Sequence, residues 1–245
     1  MPVASQLEKT TTARHSAVVR VTHWLTFIAF IALLVTGFEI MISHPRFYWG
    51  EVGNVNTKPL FVIPIPASRD TVPTGYGYVM PDQNGWSRYL HFEAAWVAVL
   101  AGLVYGIYGL WSGHVRKNLI PERRDRNGRA YRARIAQYFR RRPPGRAEET
   151  SYNVLQRTAY LIVIFVLFPL IIWTGLAMSP AFTSAFPWTS VLLGGRQSAR
   201  TIHFFVSWLL LFFLLVHVTM VAVSGFRRRM RAMITGTMRD SEESQ

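Results

Sequence analysis

Polar and apolar positions along this chain are segregated into blocks. Four hydrophobic runs, residues 21–42, 89–111, 158–179 and 202–225, each reach the roughly 20 residues a helix needs to cross a bilayer. Long runs of this kind, in place of short alternating or helix-periodic stretches, predict an all-α membrane protein: a four-transmembrane-helix bundle, with residues 1–245 as a single membrane domain. Residues 43–88 and 112–157 are then the two long connections.

Punctuation refines the elements. The first helix is expected to start near Ser16 and to end after Gly37 and Glu39 at His44-Pro45, because proline cannot continue it. Glu39 suits either a headgroup-facing position or a functional one. The third helix holds no histidine or charge; Pro169 predicts a kink in it, and it completes the bundle wall. Gly102, Gly106 and Gly109 let a neighbouring helix or a flat cofactor approach the second helix closely. Residues 43–88 contain Pro59, Pro64, Pro66, Pro73 and Pro81 with many aromatics (Phe47, Tyr48, Trp49, Phe61, Tyr76, Tyr78, Trp86). This reads as an ordered cap and a docking surface, or as an interfacial aromatic belt with loop packing. Within the second connection a basic helix is expected over residues 128–142, with Tyr131, Ile135, Tyr138 and Phe139 on one side against anionic lipid, stopped by Pro143-Pro144-Gly145. Residues 1–13 are polar and read as loosely ordered. No internal repeat is evident.

Charge sets the orientation. The net charge is +14, and of the 27 basic residues 13 lie between Arg116 and Arg157 and five in the C-terminal tail. By the positive-inside rule both termini and the 112–157 connection are cytoplasmic, and loop 43–88 is external. The membrane thus accounts for the basic residues without nucleic acid as a partner. The absence of cysteine excludes disulfides, iron–sulfur clusters and covalently attached haem. The polar N-terminus lacks the pattern of a signal peptide, so the first span is expected to be retained.

Four histidines sit at membrane depth: His23, His91, His203 and His217. A lone apolar-face histidine is ordinarily a hydrogen-bonded core residue. Here His203 and His217 lie 14 residues apart in one run, roughly 21 Å of helical rise and about 40° short of four turns, so both leave the same face near opposite ends. The topology sets His23 at the level of His217, on the cytoplasmic side, and His91 at the level of His203, on the external side. Two imidazoles facing across a bundle core are what six-coordinate b-type haem requires; zinc would need four ligands in one place. Three of the four are preceded at i−3 by arginine: Arg20-Val-Thr-His23, Arg88-Tyr-Leu-His91 and Arg200-Thr-Ile-His203. That spacing puts the guanidinium on the histidine's face, on the outward side, where it can bond a haem propionate.

These motifs, over residues 14–230, resemble the b-type cytochrome subunits of nickel–iron hydrogenases, formate dehydrogenases and thiosulfate reductases. The resemblance implies a bacterial inner membrane, two haems b with His23, His91, His203 and His217 as axial ligands, a quinone site and a catalytic partner. The long external loop looks like that of cytochromes accompanying molybdopterin-dependent oxidoreductases. The function implied is electron transfer between membrane quinone and an external redox subunit. An alternative of the same fold is a self-contained membrane oxidoreductase, for instance a superoxide oxidase or small-acceptor reductase; a non-redox transporter would show no Soret band. For the quinone, the cytoplasmic side offers His15, His114 and Asn118 and the external side Glu39, His44 and Glu93, with family analogy favouring the cytoplasmic side. His44 and His114 themselves read as surface or interfacial residues.

Overall fold

The computed structural model describes residues 12–13, 15–54, 56–64, 72–73, 78–79, 86–140 and 152–238. The helices are α1 (Ala17–Ser43), α2 (Trp86–Trp111), α3 (Gly128–Phe139), α4 (Val154–Met178), α5 (Pro180–Ala185), α6 (Trp188–Val191), α7 (Arg196–Val223) and α8 (Phe226–Thr235). Four of them, α1, α2, α4 and α7, are long and apolar enough to cross a membrane. At about 1.5 Å per residue each runs roughly 40 Å, the hydrocarbon core plus headgroups. Each starts a few residues ahead of its apolar run, taking in polar positions such as Arg20, Arg88, Arg157 and Arg196. Ser16 accepts a hydrogen bond from the Val19 amide, and Asn153 and Gln156 form a reciprocal capping box ahead of α4.

Pro169 has no N–H to give the helix, and its ring crowds the carbonyl one turn back. The chain accommodates this in a wide turn over Val163–Leu167, where the Phe168 amide bonds the Val163 carbonyl five residues earlier. The expected distortion of the third span is therefore a π-turn placed before the proline.

Packing relies on small residues. α1 buries Thr22, Ala29, Thr36 and Ser43, one every seven positions, and α2 buries Ser87, Ala94, Ala98 and Ala101. In lipid there is little hydrophobic drive between helices, so close backbone approach through small side chains does the work. α1 with α2 is the tightest helix pair and α4 with α7 the next, giving two hairpins. Between hairpins, side chains bridge, as in Phe38 against Trp208 with ring centres 6.0 Å apart. Gly102 admits Phe168 of α4, since a methyl there would lie 3.2 Å from that ring; Gly106 meets nothing within 4 Å. Outward faces are apolar and exposed, including Ile28, Val35, Leu100, Ile107 and Phe212, as lipid-facing positions must be.

One face of the bundle carries a cap. Arg46–Phe47 pairs antiparallel with Phe61–Val62, and Phe47 stacks on Phe61 and packs against Phe204 of α7 at 4.7 and 4.5 Å. The cap seals the start of α7, whose first amides need partners. Glu51 Oε2 accepts from the Arg196 amide at 2.9 Å, the Gly50 carbonyl accepts from Gln197 and Ser198, and the Tyr48 carbonyl accepts from the Thr201 hydroxyl at 2.7 Å. Gly195, with φ of 110°, passes so close to Gly50 that a methyl would lie 2.5 Å from its carbonyl. The described residues of the 43–64 part of the loop thus form an ordered cap; Pro66, Tyr76 and Pro81 lie outside the described residues.

The opposite face carries the first and last described residues. Thr12–Ala13 pairs antiparallel with Thr237–Met238, so these two residues of the N-terminal stretch, expected to be loose, are paired. Residues 1–11 lie outside the described residues. Arg20 and Trp24 of α1 hold the end of α8 through the carbonyls of Ile234 and Met233, at 2.5 and 3.2 Å. The basic helix appears as α3 but ends at Phe139, and Tyr131 bonds Thr158 of α4 at 2.7 Å; the side chains of Tyr138 and Phe139 and the Pro143-Pro144-Gly145 stop lie outside the described residues.

At the end of α1, Arg88 Nη2 donates to His44 Nε2 at 3.3 Å and the Arg200 guanidinium donates to the His44 carbonyl. Burial first, then the charges of Arg200 and Arg88, hold the His44 imidazole below its ordinary 6.5. A depressed folded-state value means the unfolded chain binds the proton more readily, so this contribution to stability is full above about pH 6.5 and is lost as pH falls below it. Thermal unfolding in detergent from about pH 8 to about pH 5 should show wild type losing stability more steeply than His44→Gln; parallel profiles would contradict this.

Candidate functional site

The long helices place His23 near the start of α1, His91 near the start of α2, and His203 and His217 on α7, one toward each end. Because α1 and α2 run antiparallel, as do α4 and α7, the four form two levels. At the terminal face His23 faces His217, ring centres 6.3 Å apart and planes inclined at 52°. At the capped face His91 faces His203, again 6.3 Å apart, at 57°. In both cases one imidazole comes from each hairpin, and α7 contributes to both.

The spacing can be tested against a metal held between two imidazoles. Two metal–nitrogen bonds of about 2 Å, each extended by roughly 1.1 Å from nitrogen to ring centre, put the centres about 6.2 Å apart. Both pairs match. Among the described residues no three His, Cys, Asp or Glu side chains gather as a protein-only metal centre would require. Each level offers two facing imidazoles, a donor set that would fit a haem bringing four nitrogens of its own.

The surroundings of the two levels differ. At the capped face each imidazole has a hydroxyl on its Nδ1: Thr36 of α1 with His91, and Thr174 of α4 with His203, both at 2.9 Å. At the terminal face the buried His23 Nδ1 has no partner among the described residues, while His217 stacks on Phe213 at 5.7 Å and lies 6.2 Å from Tyr160. The two threonines were missed in the sequence. The signal for them was a Thr-Gly pair near the capped end of the first and third spans.

The three arginines occupy less simple positions than their spacing suggests. Arg88 and Arg200 converge on His44, with Arg200 also lying over the Phe47 ring at 4.9 Å. Arg20 bonds the Ile234 carbonyl through Nη1, and its buried Nε has no partner among the described residues. His44, half-buried at the end of the first span where the sequence reads it as surface or interfacial, is therefore a junction of the cap. It lines a cavity of about 270 Å³ with Arg46, Tyr48, Gly53, Gln197 and Arg200, in which Gln197 Oε1 is buried without a partner among the described residues.

Beyond the terminal-face end of α2, Asn118 Nδ2 donates to His114 Nδ1 at 3.0 Å, and the His114 ring lies beside Tyr105 and Tyr108, at 6.1 and 6.4 Å. Burial holds the His114 imidazole below 6.5. It is neutral near pH 7, with Nε2–H left to donate. Glu93, at the capped end of α2, is exposed.

Residues 14–236 match the family described as prokaryotic cytochrome b561. The chain is also 29% identical over 231 residues to an Azospira oryzae protein named "Putative protein-methionine-sulfoxide reductase subunit YedZ1", an alignment covering 91% of this chain and 96% of that one. The family match spans every membrane helix and both histidine levels, and it implies a b-type haem. This four-span, multi-pass membrane protein belongs to the prokaryotic cytochrome b561 family.

Proposed function

We propose that the protein is a di-haem electron-transfer subunit working between a membrane quinone and a redox partner on the capped face, with His23 and His217 as axial ligands of one haem b and His91 and His203 of the other. The observation that carries this reading is the same 6.3 Å imidazole separation at both levels of one bundle. Haem, when bound, supplies reversible one-electron chemistry at iron, tuned by its ligands and surroundings. The chain's part is to hold two imidazoles per level on separate hairpins, to surround them with apolar and aromatic side chains, and to offer cations to carboxylates. Arg88 and Arg200 serve propionates at the capped face. Arg20, whose Nε has no partner among the described residues, serves them at the terminal face.

The concentration of arginine and lysine on the connection and tail of the terminal face supports a cytoplasmic position for it in a bacterial inner membrane. His114 and Asn118 on that face are the groups offered to a quinone carbonyl, with Tyr105 and Tyr108 beside them. The cap exposes Trp49, Val52, Leu60 and Val62, an apolar surface suited to a docked subunit. The name of the Azospira relative supports a partner that reduces oxidised methionine in proteins, and the likeness to cytochromes of molybdopterin-dependent enzymes agrees with it. The cationic cavity around Arg46, Arg200 and His44 favours a second reading, a self-contained oxidoreductase acting on a small anion at the capped face.

Two measurements test this. Arg88→Ala and Arg200→Ala should shift the midpoint potential of the capped-face haem more than that of the other; equal shifts would remove the propionate role. In proteoliposomes, a quinol should reduce the purified chain's haems in a single turnover, and His114→Ala should slow this about tenfold, the worth of one hydrogen bond of roughly 1.4 kcal/mol. Unchanged rates would remove His114 from the quinone site, and continuous turnover by the isolated chain would favour the second reading.

A further inference from the structure

The two halves of the bundle repeat one local arrangement at the capped face. Thr36-Gly37 lies on α1, the first helix of one hairpin, and Thr174-Gly175 on α4, the first helix of the other. Each threonine is fully buried and bonds the histidine of its hairpin's second helix, at 2.9 Å in both cases. The glycines correspond too: a methyl on Gly37 would lie 3.6 Å from His91 Cε1, and one on Gly175 3.6 Å from His203 Cε1. Each histidine belongs to an Arg-x-x-His-Phe sequence, Arg88 to Phe92 and Arg200 to Phe204. The connections differ in length, with 52 positions from Thr36 to Arg88 and 26 from Thr174 to Arg200, so the correspondence is hidden from any fixed-period search.

The direction of these hydrogen bonds follows from counting protons. A threonine hydroxyl has one proton to donate. Thr36 Oγ1 lies 2.7 Å from the Ala32 carbonyl and Thr174 Oγ1 lies 2.8 Å from the Leu170 carbonyl, each one turn back on its own helix, the usual destination of a mid-helix threonine proton. Those carbonyls can only accept. The hydroxyl oxygen is then the acceptor toward the imidazole, and Nδ1 must carry a hydrogen. In each ring this leaves Nε2 as the nitrogen with a free lone pair.

We infer that Thr36 and Thr174 are positioning residues that hold His91 and His203 in the Nδ1–H tautomer, with fixed ring orientation, and so make the capped-face pair the more strongly donating of the two. The inference rests on the di-haem reading. A hydrogen bond from Nδ1–H raises the basicity of the ligating nitrogen, which favours the oxidised iron. The terminal-face pair receives no such help at His23, whose Nδ1 is without a partner among the described residues. The two levels thus differ in ligand strength through groups that never touch the cofactor.

The test uses the full-length, haem-loaded protein and two readouts, potentiometric titration and low-temperature EPR of the ferric state, with the capped-face signal identified as the one missing from His203→Ala. Thr36→Val and Thr174→Val keep the side-chain shape and remove the acceptor. Each should raise the potential of the capped-face haem and move its g-values while the other haem's signal stays in place, which also reports an intact fold. Thr36→Ser and Thr174→Ser should restore wild-type behaviour. Loss of the capped-face haem in the valine variants but not in the serine variants would equally support the inference. Valine variants indistinguishable from wild type, equal shifts of both haems, or serine variants behaving like valine would overturn it. Wild-type protein with fewer than two haems would instead sink the di-haem reading beneath it.

Discussion

An imidazole at bilayer depth has two nitrogens and no surrounding water to satisfy either, so leaving one without a partner in the protein or its cofactor is costly. Four such rings stand in this bundle, and much of the architecture is arranged around them. The stripe of small residues along α1 that brings α2 close, Thr22, Ala29, Thr36 and Ser43, includes the hydroxyl that meets His91. Helix packing and ring orientation are therefore one device there: the approach that buries Thr36 also sets it 2.9 Å from Nδ1. The second hairpin repeats this with Thr174 and His203.

α7 is the member both levels share, and the cap fixes where it begins. Glu51, Gly50 and Tyr48 take up its first amides and the Thr201 hydroxyl. Phe204, the residue after His203, anchors the aromatic cluster of Phe47 and Phe61. The height of His203 is thus tied to loop contacts, as is Arg200 through His44. At the other face the end of α8 rests on Arg20 and Trp24, the latter directly beside His23. Each level is bounded by a segment outside the spans.

How much of this could be read in the sequence depended on how local the physics was. The four spans were legible because hydrocarbon thickness sets a minimum apolar length; the start near Ser16 was legible too, whereas the third and fourth helices begin four and six residues ahead of their apolar runs because Asn153-Gln156 and Arg196 start them among polar residues. The meeting of His23 with His217 and of His91 with His203 was legible because helices are rigid rods and 14 residues have a known rise. Nothing comparable revealed Thr36 and Thr174. A threonine in a span is ordinarily satisfied by its own helix, so its second bond is visible only once helices are packed. The destinations of Arg20 and Arg88 were hidden for the same reason: the i−3 spacing gives a face, while the Ile234 carbonyl and the His44 ring arrive from far along the chain. A distortion of the third span was expected near Pro169, and its form, a π-turn over Val163–Leu167, reflects backbone bonding that residue type alone does not specify.

The central claim is that two haems are held by two separate histidine pairs joined through α7. Pyridine haemochrome counts on purified wild type, His203→Ala and His217→Ala test it most directly. The account predicts two haems per chain in wild type and one in each variant, with the remaining haem differing in spectrum between the two variants. Two haems retained in either variant, or the same haem lost from both, would contradict it.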